Sequence, residues 1–278
     1  MLDVVYIKNI CSKYGIVPSR SRGQNFLIDQ SIVDKIILAA NLKSTDTILE
    51  VGPGLGVLTR PLSSSAKQVI AVELDKKVAS FLLAEFAPEI KQNKVLLVEN
   101  DIFKVNLSSV GLQDRNYKIV ANLPYNITAL FLRYFLESAL VKPSELVVMV
   151  QKEVAERMVA GPGETSLLSL SAQFFSQPKI LFEVDKSCFW PVPAVDSAVV
   201  CLKLNKKLPD VDIKKFFRLA KMGFSAKRKQ LHNNLSGGLG LSSSEIKKIF
   251  IKLGLREDIR AQDLSLNDWL RLVDSFQG

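Results

Sequence analysis

Residues 48–59 read ILEVGPGLGVLT, and this stretch decides the fold of the chain. Its first four residues predict a short buried strand, Gly52, Gly54 and Gly56 follow in a tight turn, and Val57 begins a helix. Glycine is needed where the backbone turns with a positive φ or lies directly against a ligand. The unpaired N–H groups of a helix N-terminus attract anionic ligand atoms. The stretch therefore predicts a cradle for a nucleotide-type cofactor after the first strand of an α/β sheet.

Further apolar runs alternate with helical patterns over the first 205 residues. Helices are predicted over residues 5–14, 29–40, 77–86 and 128–139, and Asp29 or Ser31 caps the second of them. The other predicted strands are Val69–Leu74, Val95–Glu99, Lys118–Ala121, Glu145–Val150 and Ala198–Leu204. Continuous apolar strands between helices indicate a parallel sheet covered on both faces, with the last strand antiparallel at or near its end. The predicted fold class is therefore α/β.

The last quarter of the chain has a different pattern. Residues 206–210, KKLPD, have the composition of a hinge. Beyond them, helices are predicted near residues 212–223, 226–235, 243–253 and 266–276, with breaks at Gly237-Gly238 and at Gly254. We predict one domain over residues 1–205, beginning with a basic arm that contains Arg20 and Arg22, and a small all-α domain over residues 206–278.

Composition excludes several classes of protein. No apolar run approaches the roughly 20 residues that a membrane span needs, and the N-terminus lacks the layout of a secretory signal. The three cysteines, Cys11, Cys188 and Cys201, are an odd number without the spacing of metal ligands. We therefore expect a protein of the reducing cytoplasm that contacts no membrane and binds no metal.

The positive charge is concentrated near the C-terminus. The whole chain has 37 basic and 28 acidic residues, a net charge of +9. From Lys206 onward there are 15 basic and 8 acidic residues, so that +7 of this charge lies in the last quarter. Such a concentration favours a polyanionic partner over a merely solvated helical surface.

Four polar side chains close successive predicted strands. Glu50, Glu73, Asp101 and Asn122 follow one another at intervals of 23, 28 and 21 residues. The carboxyl ends of parallel strands share one edge of a sheet, where ligands bind. Glu73 is placed to accept both hydroxyls of a ribose, and Asp101 to accept the amino group of an adenine. No lysine or arginine stands in the glycine turn to meet a phosphate, so an unphosphorylated adenosyl cofactor fits this set.

The most specific signal is NLPY at residues 122–125. The exocyclic amine of a base is a poor nucleophile, because its lone pair is delocalised into the ring. The side-chain carbonyl of Asn122 and a backbone carbonyl held out by Pro124 can each accept a hydrogen bond from one N–H group of this amine. These hydrogen bonds favour a more nearly tetrahedral amine nitrogen. Tyr125 offers a ring on which the base stacks, worth roughly 1–3 kcal/mol. No strong base is required, so the lone histidine, His232, is expected at the surface or facing RNA.

The motifs GQNFL, EVGPGLGVLT, AVELD, END, NLPY and F-x-P-x-P-x-V-D-S together resemble those of the rRNA adenine N6,N6-dimethyltransferases, over nearly the whole chain. The resemblance implies S-adenosylmethionine as cofactor and a class I, Rossmann-like methyltransferase domain with a helical C-terminal domain. It also implies that Phe189 clamps the target base opposite Tyr125. It places catalysis at Asn122, Leu123, Pro124, Tyr125 and Phe189, and cofactor contacts at Asn25, Leu27, Gly52, Gly54, Glu73, Asp101 and Asn122.

Two branches of this family share these motifs. One dimethylates two neighbouring adenosines near the 3′ end of small-subunit rRNA during ribosome assembly. The other dimethylates one adenosine of large-subunit rRNA and confers antibiotic resistance. Residues 224–235, FSAKRKQLHNNL, are similar to the F-x-x-(R/K)-R-K-x-L-x-N-x-L stretch of the first branch. We therefore expect Lys227, Arg228 and Lys229 to bind small-subunit rRNA or a partly assembled small subunit, and we expect a monomer.

The chain departs from the commonest family pattern at two positions. Ala194 stands where many members have lysine, and Lys227 stands where arginine is common. Neither residue is expected to take part in the chemistry, so the departures concern contacts with RNA.

Two other functions share part of this pattern. A nicotinamide-dependent oxidoreductase also has a glycine turn and a strand-end acid, but its fingerprint is G-x-G-x-x-G and not the G-x-G-x-G found here. NLPY would have no role in such an enzyme. A non-catalytic RNA-binding assembly factor could keep the fold alone, whereas Glu73, Asp101 and NLPY together favour retained catalysis.

Overall fold

The computed structural model of the chain describes residues 3–18 and 24–276. Arg20 and Arg22 of the predicted basic arm lie outside the described residues, as does Gly23 of the GQNFL motif. The arm's predicted helix is present as α1, Val4–Tyr14, which begins at the capping residue Asp3.

A mixed sheet forms the centre of the first part of the chain. Within the described residues its strand order is β4-β3-β2-β5-β6-β9-β7. Strands β2 to β6 pair in parallel, and β9 runs antiparallel to β6. The strands are β1 Phe26–Leu27, β2 Thr47–Val51, β3 Gln68–Glu73, β4 Val95–Glu99, β5 Lys118–Asn122, β6 Glu145–Gln151, β7 Ser176–Val184, β8 Phe189–Trp190 and β9 Ser197–Leu204. The predicted α/β class is confirmed.

Helices follow the parallel strands. Asp29 caps α2 by accepting the N–H of Ser31 at 2.8 Å, as predicted. Helix α6 ends at Arg133 in a π-helical turn over Tyr134–Ser138, so the predicted helix over residues 128–139 is regular only in its first half. The helices are α2 Gln30–Ala40, α3 Thr59–Ser65, α4 Lys76–Glu85, α5 Ala87–Lys91, α6 Thr128–Arg133, α7 Lys152–Val159, α8 Leu167–Phe175, α9 Ile213–Gly223, α10 Leu231–Leu239, α11 Ser243–Lys252 and α12 Leu266–Ser275.

The chain divides into two compact units. One comprises Met1–Ala155 and Gln177–Leu204, and the other comprises Glu156–Ser176 and Asn205–Gly278. The sequence places residues 1–205 in a single domain, whereas α8 belongs to the second unit. The cause is aromatic packing between α8 and α9. The Phe174 ring lies 4.9 Å from that of Phe216, and the Phe175 ring stacks on that of Phe217.

The second unit contains helices α9 to α12, and it differs from the sequence prediction at three points. The helix predicted over residues 226–235 begins at Leu231, because residues 224–230 form a turn that Asn234 holds through bonds to the carbonyls of Gly223 and Ala226. His232 is not at the surface: it is 6% exposed, and its ring bonds to the side chains of Gln230 and Ser243.

Two glycines predicted as a helix break lie inside α10 instead. A Cβ on Gly238 would stand 2.7 Å from the sulfur of Met222, so a larger residue there would force the Met222 side chain to move. Among residues 3–18 and 24–276, no helix is long and apolar enough to cross a membrane.

A buried carboxyl group lies in β2. Glu50 is almost fully buried, and its Oε2 accepts a hydrogen bond of 2.7 Å from the hydroxyl of Thr59, at the start of α3. Burial raises the pKa of Glu50 to about 8, with a further contribution from the charge of Glu73. The group is therefore protonated at neutral pH and joins the strand to the following helix as a neutral acid.

We expect the stability of the protein to fall as pH rises from about 4.5 to about 8, because the folded state keeps a proton on Glu50 that the unfolded chain has lost. Glu50→Gln keeps a neutral partner for Thr59 and should reduce this fall by on the order of a few kcal/mol. Denaturant titrations over this pH range measure the effect. Glu99→Gln, which changes an exposed acid, is the control. Identical pH profiles for the Glu50 variant and the wild type would show that Glu50 is ionised in the folded protein.

Candidate active site

The carboxyl ends of β2 to β5 open onto a cavity of about 880 Å³. The residues that line it all belong to the first unit. Among them are these sequence-predicted residues: Asn25, Leu27, Gly52, Gly54, Glu73, Asp101, Asn122, Leu123, Pro124 and Tyr125. The structure thus brings together five segments that lie far apart in the sequence.

The glycine turn has a backbone that only glycine adopts readily. Gly52, Gly54 and Gly56 have φ angles of 66°, 57° and 77°. Gly52 and Gly54 line the cavity, whereas a Cβ on Gly56 would lie 2.4 Å from the ring of Phe86. The third glycine therefore serves packing rather than ligand contact. Helix α3 begins two residues after the predicted Val57, because residues up to Leu58 remain in turns.

Two carboxylates at the cavity are oriented by backbone N–H groups. Glu73, at the end of β3, accepts the N–H of Asp75 at 2.8 Å. Burial raises the pKa of Glu73. Asp101 accepts the N–H of Phe103 at 3.1 Å and caps a short 3₁₀ helix. Because each side chain is held in place, both carboxylates are preorganised as acceptors.

The NLPY segment presents two carbonyl groups. The amide nitrogen of Asn122 donates to the carbonyl of Asn25 at 3.4 Å. The Pro124 carbonyl already accepts bonds from Ile127 and Thr128. Among the described residues, no hydrogen bond ends on the Asn122 amide oxygen or on the Leu123 carbonyl. These two oxygens are therefore the acceptors that the segment can offer to an amine.

Tyr125 is fixed through its hydroxyl group. The ring is half-buried, its oxygen lies 2.6 Å from the Oγ of Ser197, and burial raises its pKa. Tyr125 is predicted from the sequence, whereas Ser197 is not. The signal that could have found Ser197 is its place as the last residue of the F-x-P-x-P-x-V-D-S motif.

Phe189 does not reach the cavity. Its side chain is 1% exposed and packs in the hydrophobic core, because β8 pairs with β1 and sets Phe189 opposite Leu27. A ring with so little exposed surface cannot stack on a base. The structure therefore corrects the expectation that Phe189 clamps the target opposite Tyr125.

Apolar cavity residues also escaped prediction. Leu74 is 70% exposed and lines the cavity directly after Glu73, and Ile102 lines it directly after Asp101. An exposed leucine in a cavity offers a face for a flat ring. Each of these residues immediately follows a strand-end acid, and that position is the signal that could have found them.

The predicted RNA-binding cations lie in the second unit. Lys227, Arg228 and Lys229 are exposed in the turn between α9 and α10, and not on a helix. None of the three forms an ion pair within the described part of the chain. Asn234 holds the backbone of this basic turn, as described above.

Comparison with known proteins places this site in a family. The family model described as "Ribosomal RNA adenine dimethylase" matches residues 19–278. Ribosomal RNA small subunit methyltransferase A of Dehalococcoides mccartyi is 43% identical over 269 residues, which are 95% of this chain and 90% of that protein. A dimethyladenosine transferase from Plasmodium falciparum matches with a TM-score of 0.76 and 28% identity, covering 90% of this chain and 97% of that one.

The 23S rRNA methyltransferase ErmE has the same fold, with a TM-score of 0.71 at 23% identity over 91% of this chain and 100% of that chain. The predicted Rossmann-like methyltransferase fold is thereby confirmed, as is the predicted family. An oxidoreductase is excluded. The chain belongs to the ribosomal RNA adenine dimethylase family, whose members are methyltransferases that use S-adenosylmethionine.

Proposed function

We propose that the chain dimethylates two neighbouring adenosines near the 3′ end of small-subunit rRNA, in a partly assembled small subunit. The observation that carries the proposal is the single cavity that gathers Glu73, Asp101, Asn122 and Tyr125. The choice of subunit is supported by the 43% identity to a small-subunit methyltransferase and by the exposed basic turn 227–229.

The cavity fits S-adenosylmethionine. Its volume of about 880 Å³ accommodates a nucleoside with an amino-acid side arm. The Glu73 carboxylate would accept the ribose hydroxyls, Leu74 would cover one face of the adenine, and Asp101 would accept the adenine amino group. The carboxylates also favour a ligand with positive charge. When bound, S-adenosylmethionine supplies an electrophilic methyl group.

Asn122 and Leu123 would act on the target amine. The Asn122 amide oxygen and the Leu123 carbonyl oxygen accept hydrogen bonds from the two N–H groups of the amine. The nitrogen lone pair thereby leaves conjugation with the adenine ring. Tyr125 holds the plane of the base by stacking. The proton becomes acidic only after methylation, so the chain needs no strong base. The buried, hydrogen-bonded His232 has no part in this step.

An adenine amine inside a helix cannot reach such a cavity. The target nucleotide must therefore be flipped out of its stack. The basic turn would hold the surrounding RNA through its phosphates, which makes affinity depend on salt. Chemistry and RNA affinity are thus assigned to different side chains.

We also propose that the chain works as a monomer in the cytoplasm. Cys11, Cys188 and Cys201 are all free thiols, as suits a reducing compartment. The monomeric state stays a prediction from sequence, which sedimentation of the purified protein can decide.

Transfer of tritiated methyl groups tests the proposed function. Small-subunit particles and large-subunit rRNA are offered separately with labelled S-adenosylmethionine, and the modified base is mapped. We expect dimethyladenosine at two adjacent positions of small-subunit rRNA. Label in large-subunit rRNA alone would assign the chain to the antibiotic-resistance branch, and no label in either would indicate a non-catalytic assembly factor.

Glu73→Ala should weaken cofactor binding, because the lost hydrogen bonds to the ribose are charge-assisted and worth roughly 1.5–3 kcal/mol. Calorimetric titration with S-adenosylmethionine measures the change. Glu99→Ala is a matched control, since Glu99 pairs with Glu73 in register but is exposed and outside the cavity lining. An unchanged dissociation constant for the Glu73 variant would remove Glu73 from the ribose site.

Asn122→Ala should lower turnover about 100-fold, the scale of loss when a reacting group is misplaced by 1 Å. RNA binding should remain nearly intact. Mass spectrometry of digested RNA after a single turnover separates unmethylated, monomethylated and dimethylated adenosine. Asn116→Ala, an exposed position ahead of the same strand, should react like the wild type. A normal yield of dimethyladenosine from Asn122→Ala would contradict the proposed mechanism.

Replacing Lys227, Arg228 and Lys229 with glutamine should weaken RNA binding and flatten its dependence on salt. The expected change in slope is up to about 0.7–0.9 log units per lost phosphate contact. Cofactor affinity should stay the same. Replacing Lys214, Lys248 and Lys252, which are exposed on α9 and α11, with glutamine removes the same net charge and is the control. If the triple variant keeps the wild-type salt slope, these residues do not face RNA.

A further inference from the structure

The Tyr125 hydroxyl connects the active-site turn to a strand on the other side of β6. Ser197 is the first residue of β9 and is 0% exposed, and its Oγ lies 2.6 Å from the Tyr125 oxygen. Tyr125 follows β5, and β6 lies between β5 and β9 in the sheet. The bond therefore spans the sheet edge that forms the cavity.

Each hydroxyl is the other's partner. Among the described residues, neither the Ser197 side chain nor the Tyr125 hydroxyl makes a second hydrogen bond. A buried hydroxyl without a partner is costly, so the pair resists separation. The tyrosine ring is thereby tied at its far end as well as at its Cα.

The serine is anchored rigidly. In the ladder between β6 and β9, Ser197 stands opposite Gln151. Its neighbour Asp196 accepts the Lys186 N–H at 3.0 Å through its side chain and the Lys152 N–H at 3.0 Å through its backbone carbonyl. Asp196 and Ser197, the last two residues of the F-x-P-x-P-x-V-D-S motif, thus hold the loop before β9 and the Tyr125 hydroxyl in place.

We propose that Ser197 is a positioning residue for methyl transfer, which fixes the orientation of the Tyr125 ring on which the target adenine stacks. The proposal rests on the stacking role of Tyr125 in the proposed function. The ring plane sets the plane of the base, and the base plane sets where the amine lies relative to Asn122. Free rotation of the ring spreads the amine over unproductive positions.

The second methyl transfer depends most on this orientation. A monomethylated amine has one N–H left and must fit a methyl group in the same space. Loss of the Ser197 bond therefore slows the second transfer more than the first. The ratio of monomethylated to dimethylated product reports this difference, and a general loss of folded protein does not change it.

Ser197→Ala, Tyr125→Phe and the double variant test the proposal, with small-subunit particles as substrate. Each single variant should lose about 3- to 10-fold in single-turnover rate, as the loss of one neutral hydrogen bond permits. Each should also accumulate monomethyladenosine. The cofactor dissociation constant should be unchanged in all three. Ser176→Ala, a buried serine bonded to the Ala172 carbonyl, should keep the wild-type rate and product ratio.

The double variant separates positioning from a structural role. Removing both hydroxyls leaves no unsatisfied group, so its thermal stability should return toward that of the wild type. Its rate should stay as low as that of either single variant, because all three lack the same bond.

The proposal is wrong if Ser197→Ala keeps the wild-type rate and product ratio. It is also wrong if the rate losses of the two single variants multiply in the double variant, or if the double variant recovers the wild-type rate together with its thermal stability. The proposed function fails separately, when the wild type itself transfers no methyl group to rRNA.

Discussion

In-register parallel pairing brings the carboxyl ends of β2, β3, β4 and β5 to one edge of the sheet, and Glu73, Asp101 and Asn122 of the candidate active site lie at or just after those ends. Val51 lies opposite Val72, and Glu73 lies opposite Glu99. A slip of one residue would turn each strand-end side chain to the other face. The apolar cores of the strands, which fix this register, therefore also fix the spacing of the acids and the amide around the cavity.

Contact between the glycine turn and NLPY follows from that arrangement. A Cβ on Gly52 would lie 3.2 Å from the Pro124 ring, so any other residue there would push the turn after β5 away by a few tenths of an ångström. Gly56 has a different reason, the ring of Phe86. Both glycines therefore pack closely against residues far along the chain, in addition to having the positive φ that the sequence predicts.

The sequence predicts the parallel strands within about a residue, because continuous apolar runs between turn residues have few other interpretations. It misses β7, which is half-exposed and contains Pro178, so neither a continuous run nor a clean alternation marks it. Cavity residues next to polar strand ends are predictable from spacing. The motif marks Phe189 and Ser197, but not the direction in which they face: whether a motif residue faces the cavity or the core depends on pairing with β1 and β6, which local sequence does not encode.

A hydrogen bond connects the proposed cofactor site to the segment that would bind the target amine. Asn122 donates its amide N–H to the backbone of Asn25, in the segment that lines the proposed cofactor site, and its amide oxygen accepts no hydrogen bond within the described residues. Tyr125 is tied in the same way to β9. The proposed mechanism uses no strong base and so depends on the positions of the reacting groups, and Asn122 and Tyr125 are both held by hydrogen bonds to other parts of the chain. Because an adenine amine is a weak nucleophile, the proposed mechanism needs side chains of fixed position, and hydrogen bonds to the backbone and to β9 fix Asn122 and Tyr125.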